Sequence, residues 1–259
     1  MLLLPEAAMP TSETLRARIH ALFPDSLSLS GGRDGCAKTP FENSGLLAAD
    51  EAVSFEVPGG LLAAGLVKER IPDAELEWPL ATAYFWPEAR AVLATHTAHI
   101  LVTVLSTTAT KLESMYWLTQ AVAALGEMTH GLGVYWGSGG ILTSAQRVLM
   151  EAQESSMDNP PYPLWIALHP ISESTGWSGY SHGLEDFGHL DFEIRDSPEG
   201  PEEVLGRLAA AVHCVLTTGR EFQHGDTFKV SETESHPVTV GKSRYHQGRA
   251  VCLLGTMPE

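Results

Sequence analysis

Hydrophobic and polar positions alternate along this chain in two recognisable periods. Leu2-Leu3-Leu4 reads as a short first strand. Leu15, Ile19 and Leu22 are spaced by four and three, which places them on one face of a helix. Thr11 or Ser12 can cap that helix, and Pro24 stops it after Phe23. Residues 25–50, rich in Ser, Gly and Asp, are expected to form a long loop. Ala52 to Val57 alternates as a half-buried strand does, Pro58-Gly59-Gly60 turns, and Leu61 to Val67 returns, so the pair reads as a hairpin. Ile71 to Trp78 connects onward. Pro87 and Glu88 suit the first turn of a helix expected to reach His99, and Ile100 to Leu105 has the β-branched content of a buried strand.

The later chain repeats the theme. Leu112, Met115, Leu118, Val122 and Leu125 form a helical stripe closed by Gly131, and Gly133 to Trp136 is a strand. Thr143 and Gln146 suggest a capping box for a helix to about Ala152. Residues 159–163 form a proline-stiffened linker. Leu164–Leu168, Leu190–Ile194, Asp226–Val230 and Ala250–Leu254 read as strands. Pro201, Glu202 and Glu203 open a helix whose buried face is Val204, Leu208, Val212 and Val215, and Gly219 ends it. The expected fold is α+β: two ferredoxin-like, split-βαβ halves, residues 1–108 and 109–259, with antiparallel or mixed sheets and helices packed on one face.

Composition narrows the function classes. A net charge of −16, from 32 acidic and 16 basic side chains, repels phosphate backbones, so no nucleic-acid partner is expected. The charge either serves solubility alone or favours a basic partner, drawn by electrostatic complementarity. The N-terminal residues lack the basic segment of a signal peptide, and no apolar run approaches a membrane span. Cys36, Cys214 and Cys252 are odd in number and far apart, which argues against a disulfide framework or a zinc knuckle. A cytoplasmic setting is the expectation.

Candidate chemistry is sparse. His96 and His99 stand three apart near the expected helix end, without a third ligand, and read as packed or capping residues. Gly137-Ser138-Gly139-Gly140, between a strand and a helix, has the setting of a phosphate loop but matches no nucleotide motif. Ser138, Ser144 and Ser181 lie in no nucleophile elbow, and Cys214 reads as a core residue. Trp86, Trp136, Trp165 and Trp177 could line a ligand pocket, although tryptophans at strand ends more often complete a core. The densest polar-aromatic patch runs from Tyr180 to Asp191. His182, His189 and Asp191 there are the nearest approach to an acid/base or metal set. The simpler reading is a bulged entry into an edge strand, with His189 and Asp191 on one face and Glu193 carrying that face into solvent. No cofactor, metal or catalytic residue is assigned.

Several short segments carry a likeness: Ala83 to Ala89, His96-x-x-His99 with Ile100 to Val104, Val134-Tyr135-Trp136, Tyr180 to Leu184, Phe187-Gly188-His189, and Gly225-Asp226-Thr227. Together they resemble a bacterial family, domain of unknown function 4261, from about residue 50 onward. Where such relatives tend to carry Arg within Tyr-x-x-Gly-Leu, this chain has His182, which puts in doubt any role needing a fixed positive charge there. The resemblance implies a bacterial cytosolic protein with no established activity, and by analogy an immunity-type inhibitor of a secretion-system toxin. The expected function is therefore non-enzymatic binding of a basic toxin domain by occlusion. Glu185, Asp186, Phe187, Tyr180, His182 and Asp191, with the loop 25–50, are the expected contact residues. The alternatives are a small metal- or His-dependent enzyme and a dimeric structural or regulatory module.

Overall fold

A computed structural model describes residues 1–24, 29–35, 50–137, 139–232 and 234–255. The chain divides into two compact units, Met1–Met157 and Asp158–Glu259. The division expected between 108 and 109 falls inside the first unit.

In the first unit, β1 (Leu2–Leu4) leads to α1 (Ser12–Leu22), where the Thr11 side chain accepts from Thr14 N–H as the sequence predicts. The edge strand β2 (Ser30–Gly35) follows, within the segment expected to be loop. Its exposed Ser-Gly-Gly-Arg-Asp-Gly sequence has no hydrophobic alternation, so only its pairing with β3 (Glu51–Val57) defines it. The rest of that loop, with Cys36, lies outside the described residues. β3 and β4 (Gly60–Val67) form the expected hairpin.

The next segment departs from expectation. Residues read as a connection form α2 (Asp73–Ala81), despite Pro79 within it. The helix expected to reach His99 is the short α3 (Ala89–Leu93), and β5 (Ala98–Ser106) begins before His99. α4 (Lys111–Met128) starts at a full capping box of Thr110 and Glu113. Its end is turned by His130 at φ 52°, not by Gly131. β6 (Gly133–Trp136) and β7 (Ile141–Ser144) pair directly, and α5 (Ala145–Glu154) is capped by Ser144, one residue beyond Thr143.

The strand order is β2-β3-β4-β5-β1-β6-β7, and every pairing is antiparallel. A split-βαβ half would place β4 beside β1; β5 stands there instead, paired over its length with β4. Because β6 joins the sheet through β1, the chain up to α5 stays with the first unit. Helices cover both faces where β1 runs. Leu2 meets α4 at Gly126, while Leu3 faces away and packs with Ile71, Leu76, Leu93 and Leu142. That second face explains why all three leucines are buried.

The second unit contains β8 (Ala167–Glu173), β9 (Gly176–His182), β10 (Phe192–Ser197), α6 (Pro201–Thr218), β11 (Thr227–Lys229), β12 (Ser235–Lys242) and β13 (Ala250–Leu254). Its order is β11-β12-β13-β10-β9-β8; β10 and β13 are parallel and the other pairs antiparallel. α6 begins at Pro201 and ends at Gly219 in the left-handed conformation, and Val204, Leu208, Val212 and Val215 are buried as predicted. It lies on one face, close enough that a Cβ on Gly179 would collide with Val204. Both units thus bear out an α+β class with antiparallel and mixed sheets. β9 and β12 were not anticipated.

Candidate functional site

The expected contact patch folds around one buried carboxylate. Gly183 (φ 119°) and Gly188 (φ 82°) bracket a single 3₁₀ turn, Leu184–Phe187. Asp191 accepts hydrogen bonds from Ser181 Oγ (2.8 Å), Leu184 N–H (3.2 Å) and Gly183 N–H (3.4 Å). Burial raises the Asp191 pKa, and these three donors oppose the rise. Ser181 Oγ in turn accepts from Phe192 N–H at 2.8 Å. Asp191 therefore fastens the turn to the sheet. Phe187 stacks on Trp165 at 5.7 Å, and Glu185 pairs with Arg249 at 3.0 Å. Asp186 is left exposed. His189 is half-buried, and desolvation lowers its pKa.

Tyr180 and His182 point to the sheet face opposite α6, together with His169, Glu173 and Glu193. The register pairs Tyr180 with both His169 and Glu193. The β12–β13 connection, residues 243–249, closes over this face. Tyr245 stacks on Tyr180 (5.0 Å), and His246 stacks on His182 (4.9 Å) and meets Tyr180 edge-on (4.9 Å). Glu193, expected in solvent, is fully buried under this connection. It accepts from Arg195 Nε (2.5 Å), Ser243 Oγ (2.8 Å) and Arg244 N–H (3.1 Å). The Arg244 guanidinium bridges Glu173 (3.0 Å) and Asp196 (2.8 Å), and the Tyr245 hydroxyl donates to Glu173.

These contacts set the titration of the cluster. The hydrogen bond from Arg244 pulls the Asp196 carboxyl down to about 2. Desolvation raises the Tyr245 phenol, and its bond to Glu173 adds to the rise. Desolvation, then the neighbouring imidazoles, lowers His169 to about 4, and desolvation lowers His246 as well. His169 is therefore neutral at pH 7. Asp196 has φ 50°, beside a register shift between Ile194 and Ser197. The carboxylates of Glu173, Glu193 and Asp196 are thus all held by cations or donors of the same unit.

Other candidates resolve into structure. His96 and His99 follow α3 rather than ending a helix. His96 donates from Nδ1 to Leu93 O (2.5 Å) and accepts at Nε2 from Ile71 N–H (3.0 Å), which fixes one neutral tautomer. His99 Nδ1 donates to Glu69 O at 2.8 Å. The glycine-rich segment 137–140 is the turn of the β6–β7 hairpin, not a strand-to-helix loop; Ser138 lies outside the described residues. Cys252 is buried, and its thiol is raised to about 11 by desolvation. Among the described residues, no group of three or more His, Cys, Asp and Glu side chains is placed to hold a metal ion.

Sequence reasoning brought Tyr180, His182 and Asp191 to one region but missed Arg244, Tyr245, His246, Glu173 and His169. A local signal existed in the consecutive Arg-Tyr-His. Its partners, however, lie about fifty to seventy residues away in sequence and cannot be inferred from pattern alone.

The second unit is a mixed six-stranded sheet backed by one helix, with its open face closed by a stacked connection. Residues 180–254, from β9 to the end of β13, match the family described as Domain of unknown function (DUF4261). The earlier segments that suggested the same family, 83–104 and 134–136, lie outside the matched residues. No curated protein and no solved structure matches the chain.

Proposed function

We propose that this chain is a non-enzymatic binding protein that neutralises a basic protein by occlusion, as an immunity-type inhibitor does in the bacterial cytoplasm. The observation that carries this reading is how the chain spends its positive charge. Arg70, Arg90, Arg147, Arg207, Arg244 and Arg249 each lie within 4.0 Å of one of its own carboxylates. With twice as many acidic as basic side chains, the net charge left for a partner is negative. Such a surface steers cationic partners in and repels a second copy of itself. Within the 180–191 patch, Glu185 and Phe187 are engaged internally, so Asp186 is the residue best placed to meet a partner.

The test is affinity capture with the tagged chain from its source organism, at two salt concentrations. A single basic protein, retained at about 50 mM salt and released well above 0.15 M, is the expected result. Retention of no protein, or of an acidic one, overturns the reading.

A further inference from the structure

Among the described residues, the most exposed aromatic side chains lie in the first unit. Phe85 is 79% exposed, Tyr84 60% and Trp78 51%. Trp78 lies in the last turn of α2, and Tyr84 and Phe85 lie between α2 and α3, where Thr82 Oγ1 donates to Trp78 O and Tyr84 N–H donates to Thr82 O. Aromatic side chains so exposed leave apolar area in water, which is unfavourable in isolation.

The surface is held in place from below. Trp78 rests one edge of its indole on the β6–β7 turn, so close that a Cβ on Gly140 would lie 2.3 Å from the ring. Gly140 also has φ +63°, so both its space and its backbone favour glycine. Arg147 of α5 stands 5.7 Å from the Phe85 ring centre while paired with Glu151. Met150, also exposed, is one turn on along α5. Anchors fixed before binding lose less freedom on binding.

The charges around these rings select the partner. Arg70 is paired with Asp73 and Arg90 with Glu77. Glu75, one turn before Trp78, and Glu88, just after Phe85, are exposed and form no ion pair among the described residues. An aromatic centre with an unpaired acidic rim is complementary to a protein surface that offers apolar pockets bordered by Lys or Arg. A second copy of this chain would bring the same carboxylates against themselves.

We propose that Trp78, Tyr84 and Phe85 form the docking surface for a basic protein partner, with Glu75 and Glu88 as its charged rim. This rests on the binding reading above and moves the contact from the 180–191 patch to the α2–α3 connection.

The test uses full-length protein carrying p-benzoylphenylalanine at position 85 or, separately, at position 186, irradiated in a lysate of the source organism. Support requires two results. A basic protein must crosslink at 85. The same protein, once purified, must bind the intact chain and lose about thirty-fold or more in affinity with Phe85→Ala and Tyr84→Ala combined, at unchanged melting temperature. Glu75→Lys with Glu88→Lys should weaken it further at low salt. Crosslinking at 186 alone overturns this surface and leaves the binding reading standing. Crosslinking of a second copy or of an acidic protein at 85 overturns the proposal, and no crosslink at either position overturns both.

Discussion

Trp78, Tyr84 and Phe85 in the first unit and Tyr180, Tyr245, His182 and His246 in the second are similar in composition and opposite in what covers them. In the second unit the β12–β13 connection supplies the covering layer. Each ring there stacks on another ring of the same unit, and the carboxylates beneath are held by Arg195, Arg244 and Ser243. In the first unit Trp78 is seated on Gly140, Arg147 stands 5.7 Å from the Phe85 ring centre, and Phe85 is 79% exposed. Side chains satisfied by their own chain contribute to stability. Side chains positioned but uncovered contribute little until something else covers them. The patch densest in candidate chemistry in the sequence is of the first kind.

The sharpest way to break the comparison is to remove the charge on which the second cluster is built. Glu193→Ala leaves the Ser243 hydroxyl and the backbone N–H of Arg244 without their acceptor beneath the covering connection, while the partly exposed Arg195 loses its carboxylate and keeps Lys242 O. Breaking a buried, hydrogen-bonded charge of this kind costs about 3 to 5 kcal/mol. Thermal unfolding of the variant should show a large drop in melting temperature, with the second unit's tryptophans exposed early. A drop no greater than that of an ordinary surface substitution would mean that the connection does not depend on Glu193.

A smaller effect is expected from pH. His169 has a folded pKa of about 4, below its unfolded value of 6.5. Between those values the unfolded chain binds the proton and the folded chain does not. This contribution is therefore complete above pH 6.5, is lost as pH falls from 6.5 toward 4, and declines no further below that. At about 1.4 kcal/mol per pKa unit, this one ring accounts for roughly 3 kcal/mol. The groups facing it include His182, His246, Tyr180, Glu173 and Glu193, and the lowered His246 adds to the slope in the same direction. Denaturant unfolding at intervals from pH 7 to pH 4 should show the decline, and His169→Gln should flatten it. An equal slope in the variant would assign the decline to other groups.

Much of this architecture was legible because its signals are local. Thr11 caps α1, Pro201 and Gly219 bound α6, and Pro58-Gly59-Gly60 turns the β3–β4 hairpin, each within a few residues of the element it defines. The failures have equally specific causes. Pro79 sits inside α2 and disguised it as a connection. β9, with Ser178, Gly179 and Ser181 on a strand, has no β-branched residue to mark it, and in β12 Pro237 and Gly241 flank the short Val238-Thr239-Val240 run; both strands are stabilised by neighbours on both sides. For the candidate site, the sequence placed Asp191 beside Tyr180 and His182. It could not show that residues 243–249 return to cover them, because that contact is made in three dimensions between segments with no shared pattern. The exposure of Phe85 was hidden for the opposite reason, since an aromatic residue in a short segment reads as core.

Tyr245→Phe sharpens the comparison by removing one hydroxyl. It keeps the stack on Tyr180 and removes the group that donates to Glu173 and that also interacts with Ser178 and Arg244. A hydrogen bond to a charged acceptor is worth about 1.5 to 3 kcal/mol, and Glu173 keeps Arg244, so the lower end is expected. Urea denaturation should show a reduced midpoint at unchanged slope. An unchanged midpoint would mean that the stack alone holds the connection down.

The smallest expected effect on stability is the most informative about function. Phe85→Ala removes a ring whose surface is mostly in water, so little hydrophobic stabilisation is lost, and the distant guanidinium of Arg147 keeps Glu151 as its partner. Surface changes of this kind stay within about 0.5 kcal/mol, so the melting temperature should match that of the intact protein. If Phe85→Ala instead destabilises the chain as Glu193→Ala does, the ring is covered in solution by part of the same chain and the contrast between the two clusters disappears. If stability is unchanged, the Phe85 ring contributes little to folding, and its effect is left to be read in the binding measurement, where an aromatic anchor removed at the centre of an interface costs far more than it does in the free protein.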